Sequence, residues 1–136
     1  MIKPIVRDVL FLRQKSEEAT KADLSCADDL LDTLKANSHR CVGMAANMIG
    51  VKKRIIVFSA GPLFITMLNP VITAASSPYE TEEGCLSLDG VRKTTRYENI
   101  TVRFQTKSFE TKTQSFSGWT AQIIQHEIDH LNGIII

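Results

Sequence analysis

The spacing of apolar residues changes along the chain, and each change predicts a different element. Residues 1–21 carry one apolar patch, Val9-Leu10-Phe11-Leu12, and Pro4 holds the start extended, so this stretch reads as an arm. Ala27, Leu30, Leu31 and Leu34 then recur at helical spacing behind Ser25-Cys26-Ala27-Asp28, a sequence suited to capping a helix start. The pattern predicts a helix over 26–38, with His39 in the polar loop after it. Residues 41–50 are small, apolar and glycine-bounded, and Ala45-Ala46 suits close approach to another element. From Arg54 onward the chain reads as β. Ile55-Ile56-Val57-Phe58 is a continuous apolar strand closed by Ala60-Gly61-Pro62. A second strand over 63–68 is broken by Asn69-Pro70, a third covers 71–74, and Ser76-Ser77-Pro78 reads as loop. Ile100, Val102 and Phe104 alternate, giving a strand over 100–105, a turn at 107–110 and a strand over 111–116. Gly118 precedes a last helix, expected over 119–131. Its Ile123, Ile124, Ile128 and Leu131 spread around the axis, so most of its faces are buried, and Gly133 is a fitting stop.

That last helix carries His126-Glu127-Ile128-Asp129-His130. Residues four apart share a helix face, so His126 and His130 can hold one metal ion between them. Glu127 then projects beside the ion, where it can take a proton from a coordinated water. Asp129 lies beside the histidines as a candidate hydrogen-bond acceptor for them. Catalytic sites of this kind use three protein ligands. Gly133 stands where the extended HExxHxxGxxH pattern wants glycine, but Ile136 occupies the place of its third histidine. The third ligand must come from upstream: His39, Cys26, Cys41, Cys85 or a carboxylate. Cys85 is the best candidate, because Gly84 before it lets backbone approach a ligand closely. Cysteine with two histidines suits zinc or ferrous iron and not calcium or magnesium.

Composition narrows the setting. A chain of 136 residues, 43% hydrophobic, can bury a core as one domain over 1–136. A net charge of +1 argues against DNA or an acidic membrane surface as the main partner, and there is no apolar run near the length of a membrane span. The N-terminus lacks a signal-peptide core, and three cysteines give no disulfide framework. A reducing cytoplasm is expected, which keeps Cys85 available as a thiolate. The apolar end Ile134-Ile135-Ile136 leaves an edge through which copies of the chain can associate.

Glu82-Glu83-Gly84-Cys85-Leu86-Ser87, followed by Gln125-His126-Glu127-Ile128-Asp129-His130-Leu131-Asn132-Gly133, resembles the peptide deformylase family. Gly43-Met44-Ala45-Ala46 is similar to the core of that family's GxGxAAxQ block, and the three blocks come in family order. Two positions depart: Cys41 stands at the first glycine of the block and Met48 at its glutamine. The resemblance implies an α+β fold in which antiparallel β-sheets wrap a central metal-binding helix. It implies removal of the formyl group from the N-terminal formyl-methionine of nascent bacterial chains, in the cytoplasm and near the ribosome. It implies one divalent metal per chain on Cys85, His126 and His130, with Fe²⁺ in the cell and Zn²⁺, Ni²⁺ or Co²⁺ able to replace it. It places Glu127 as general acid/base, the Leu86 N–H as oxyanion donor, and Met48 where the glutamine donor belongs. Gly43, Met44 and Glu83 border the bound peptide, and Arg96 takes the place of an arginine near the groove. Helix spacing puts Trp119 and Ile123 on the metal's side of the helix, suited to lining a methionine pocket, with the more polar Gln122 on the same face. The competing readings are a metallopeptidase, a structural metal site, and a catalytically weak relative that binds peptide N-termini.

Overall fold

The computed structural model describes residues 1–135. Ile136, at the third-histidine place and in the apolar end, lies outside the described residues. Five strands form one antiparallel sheet in the order β1-β2-β3-β4-β5: Gly43–Ala45, Ile55–Ala60, Leu63–Cys85, Leu88–Gln105 and Thr111–Ser117. Three α-helices accompany them: α1 (Val9–Leu12), α2 (Leu24–Ala36) and α3 (Gly118–Leu131). One face of the sheet packs on α3 and the other on α2. Residues β2 alternates between the two cores show why its run is wholly apolar. Ile56 and Phe58 join Ile123, Ile124 and Ile128 of α3, whereas Ile55 and Val57 join Leu30 and Leu34 of α2. The alternation of Ile100, Val102 and Phe104 aims all three at the α3 side. Burying two helices on one sheet in this way is an α+β architecture.

Several expected boundaries shift. Helix α2 starts earlier than Ser25 predicts. The capping contact is one turn upstream, where Thr20 donates its backbone N–H to the Asp23 carboxylate at 2.8 Å in a short 3₁₀ turn. Asn69-Pro70 bends a strand without ending it. The β3–β4 register slips between Leu68 and Val71, Asn69 takes φ 51°, and proline sits at a bulge where the ladder asks for no donor. Asn69 also accepts the Ala19 N–H at 2.8 Å and donates to the Gln105 side chain at 2.7 Å, which ties the N-terminal arm to the bulge. Ser76-Ser77-Pro78 is strand as well, and β4 begins at Leu88 rather than 100. Together these make a long two-stranded ribbon whose polar faces carried no apolar alternation for sequence reading to detect. Gly133, at φ 75°, ends α3 as expected: Ile134 N–H returns to the Asp129 carbonyl at 2.9 Å, and a Cβ on Gly133 would clash with the Arg13 carbonyl oxygen. Among the described residues, no helix is long and apolar enough to cross a membrane.

Candidate active site

Helix α3 is buried almost all round from Ala121 to Leu131, so its polar residues must find partners inside the fold. Three ligand atoms, from Cys85, His126 and His130, lie within 4.8 Å of one another. Cys85 Sγ is 3.2 Å from His130 Nε2, and the two imidazole rings are 5.0 Å apart. Cys85 reaches them because β3 ends there in a tight turn to β4, with Cys85 paired to Leu88. The His126 ring is held from its far side by the Glu83 carboxylate, 2.8 Å from Nδ1, which leaves Nε2 for the cluster. His130 Nδ1 is buried with no hydrogen-bond partner. A soft sulfur donor and two imidazoles converging in a buried site fit a transition-metal ion better than a dry core.

Glu83 is the hub behind this cluster. Arg96 donates to it from Nε at 2.9 Å and from Nη2 at 2.6 Å, and Gln122 Nε2 donates at 2.9 Å. Arg96 Nη1 also donates to Asp129 at 2.6 Å. Four donors hold the Glu83 carboxylate down to about 2 against the opposing effect of burial. Two expectations are corrected here. Arg96 is 3% exposed and engaged by two carboxylates, so it braces the metal-site histidine and does not face a peptide groove. Asp129 touches neither histidine; it acts through Arg96 and Glu83. Gln122 is polar because it bridges Tyr79 (3.2 Å) to Glu83. Sequence reading missed the Glu83–Arg96–Asp129 network. Its one signal was a charged residue inside each ligand motif, Glu83 and Asp129, with Arg96 between the motifs.

Glu127 is 4% exposed and its Oε1 has no hydrogen-bond partner. Burial pushes this carboxyl up to about 7, partly opposed by His126. Burial pulls both histidines down. The Glu127 and Cys85 charges with the Glu83 bond overcome it at His126, raising it to about 10, while His130 falls to about 3.

These groups floor a cleft of about 500 Å³ lined by Cys41, Gly43, Met48, Leu86, Ile123 and Trp119, among others. Ile123 is buried in its wall; Trp119 is 62% exposed and forms its rim. Gly43 is needed as glycine: a Cβ there would lie 2.8 Å from Ile123 and 3.0 Å from Glu127 Oε2. Met44 does not line the cleft, because its side chain is fully buried in the α2-side core. Met48 does line it, 1% exposed, with Sδ accepting the Ala45 N–H at 3.5 Å. The neighbouring amide of Asn47 offers no substitute donor, since its Nδ2 is bonded to the His130 carbonyl at 2.9 Å. Cys41 lies in the cleft wall and its Sγ–H donates to the Gly43 carbonyl at 3.0 Å; burial pushes this thiol up to about 12, so it stays protonated. Cys26 lies with the α2-side core, away from the cluster.

A sequence model of the polypeptide deformylase family matches residues 2–136. A peptide deformylase of Clostridium beijerinckii is 65% identical over 136 residues, covering 100% of both chains. One from Pelotomaculum thermopropionicum is 37% identical over 127 residues, 91% of this chain and 81% of its own. Among solved structures, a Met-Ala-Ser-bound class I type b peptide deformylase from Acinetobacter baumannii matches with a TM-score of 0.90 at 28% identity, over 99% of this chain and 97% of that one. The peptide deformylase of Thermotoga maritima matches with 0.89 at 26% identity, over 99% and 95%. A likeness this extensive reaches well beyond the ligand motifs into both faces of the sheet, and it follows that the chain belongs to the peptide deformylase family.

Proposed function

We propose that this chain is a peptide deformylase, which hydrolyses the formyl group from the N-terminal formyl-methionine of new proteins. One observation carries the reading: the Cys85, His126 and His130 donors converge beside a buried, unpartnered Glu127 carboxylate at the floor of a cleft bounded by an edge strand. A divalent cation held by those three residues supplies Lewis acidity and an acidified water. Fe²⁺ fills this role in the cell, and Zn²⁺, Ni²⁺ or Co²⁺ can replace it.

Glu127 is the proton carrier. Its carboxyl, pushed up to about 7, is basic enough to accept a proton from the attacking water. It then delivers that proton to the departing amine nitrogen. The Leu86 backbone N–H, in the turn after Cys85, donates to the formyl oxygen as charge develops there. The free edge of β1 at Gly43 receives the peptide as an added strand, and Ile123 and Trp119 flank its methionine side chain. Residues 1–136 act as one domain on nascent chains near the ribosome, in the bacterial cytoplasm.

Met48 favours a second reading, a catalytically weak relative that binds peptide N-termini, because a thioether has no N–H to give an oxyanion. Anaerobically purified, metal-loaded protein is assayed for formate release from formyl-Met-Ala-Ser and for cleavage of an internal peptide bond. Formate release alone is expected. Cleavage of the internal bond would make the chain a peptidase. No turnover at full metal occupancy would leave the binding reading.

A further inference from the structure

Arg40 is a cation at the cleft wall without a partner. It lines the cleft and is exposed, and no carboxylate stands within ion-pair distance of it among the described residues. Its backbone N–H is fixed to the Asn37 carbonyl at 3.0 Å, at the end of the loop that feeds β1. The direction of a bound peptide follows from the burial of that strand. Its inner end at Ala45 and the Ala46 that follows are wholly buried, and Gly43 abuts Glu127. Its outer end, through Val42 to Arg40, is open. A peptide whose formyl group lies beside Glu127 must therefore leave the cleft along Val42 and Cys41 toward Arg40. Arg40 lies three residues before Gly43, at most roughly 10 Å along the chain, within the reach of two or three peptide residues.

The other exposed charge of the cleft wall is Glu82. It is the strand neighbour of the inward-facing Glu83, so its side chain projects from the opposite face of the ribbon, and it is paired in register with Lys93. Arg40 is thus the charge left to meet the peptide.

Resting on the deformylase reading, we propose that Arg40 is a specificity-determining residue that favours formyl-methionyl peptides bearing a carboxylate shortly after the methionine. An acidic side chain and the terminus of a short peptide share that chemistry. The test uses metal-loaded full-length chain with formyl-Met-Asp-Ala-amide, formyl-Met-Ala-Asp-amide, their lysine counterparts, and formyl-Met-Ala-Ala as amide and as free acid. At low salt the aspartate peptides should exceed the lysine peptides in kcat/KM by about three- to fivefold, mainly through KM. The ratio should shrink toward one near about 1 M salt, fall to one in Arg40→Gln, and invert in Arg40→Glu. An effect confined to the free acid assigns the carboxylate to the peptide terminus. Wild-type ratios within about 1.5-fold of one both for the aspartate/lysine pairs and for the free acid against its amide, or the same ratios in Arg40→Gln, overturn the proposal. If no peptide is deformylated at full metal content, the deformylase reading is what fails. The sole tryptophan, Trp119 at the cleft rim, then reports binding of Met-Ala-Asp-amide against Met-Ala-Lys-amide by fluorescence, and equal affinities overturn the role of Arg40.

Discussion

Met48→Gln should make this chain a faster enzyme. The native thioether is 1% exposed, lines the cleft, and accepts the Ala45 N–H at 3.5 Å. Glutamine matches methionine in length and is unbranched up to its terminal amide. Its Oε1 can take over the Ala45 N–H as a stronger acceptor, which fixes the side chain and turns Nε2 toward the cleft as a new donor. One oxyanion donor is worth about 10²–10³ in rate, or about 2.7–4 kcal/mol. Part of that gain is lost if the new amide is imperfectly aimed, so the expected rise in kcat/KM is about tenfold or more, carried by kcat. Burying an amide whose Nε2 is unpaired in the free enzyme should also cost about 1–3 kcal/mol of stability. The assay is formate release from formyl-Met-Ala-Ser at matched metal content, with thermal unfolding in parallel. Met48→Leu is the control: it keeps the bulk, loses the Ala45 bond and adds no donor, so kcat should not rise. Unchanged or lower kcat/KM in Met48→Gln at equal metal content would refute the reasoning, since the oxyanion would then be fully served without this position. Asn47→Ala should act differently, lowering stability by freeing the His130 carbonyl and adding nothing to the rate.

Cys85→Ala should lose the metal, while Cys26→Ala and Cys41→Ala keep it; elemental analysis decides, and full occupancy in Cys85→Ala would sink the ligand set. Glu127→Gln should keep the metal and lose about 10²-fold or more in kcat, the scale of a general acid/base. Because Glu127 works as a base when ionised, and burial lifts its carboxyl to about 7, wild-type kcat/KM should fall as pH drops below that value; a bound cation moves the limb lower, and a limb that persists unchanged in Glu127→Gln refutes the assignment. Gly43→Ala should cost about 10²-fold in kcat with metal retained, because its Cβ would lie 2.8 Å from Ile123 and 3.0 Å from Glu127 and must displace one of them; normal kinetics would show that the wall yields freely. Glu83→Ala should weaken metal binding by about 10–100-fold through the freed His126 ring, and should destabilise the fold by about 3–5 kcal/mol because Arg96 loses its main partner while buried; metal titration and denaturant unfolding check the two effects separately.

The amino-acid sequence by itself determined the parts of this protein that depend on short-range spacing. The i, i+4 histidines and the glutamate between them follow from helix geometry alone, and so does the burial of α3, because apolar residues on every side of a helix leave it no solvent face. The β2 run and the alternation in β4 were legible for the same reason: their periods report which faces are covered. The long ribbon of β3 and β4 was not, since its polar residues carry no burial signal and its Asn69-Pro70 bulge imitates a strand end. Tertiary structure alone decided what the charges do. Glu83, Arg96 and Asp129 lie far apart along the chain and meet only when the ribbon folds against α3, which converts an arginine with the look of a surface residue into a buried brace for a metal-site histidine. It likewise took Asn47 out of the reaction and left Met48 in the cleft, although the two are adjacent, because a 3₁₀ turn points successive side chains in different directions.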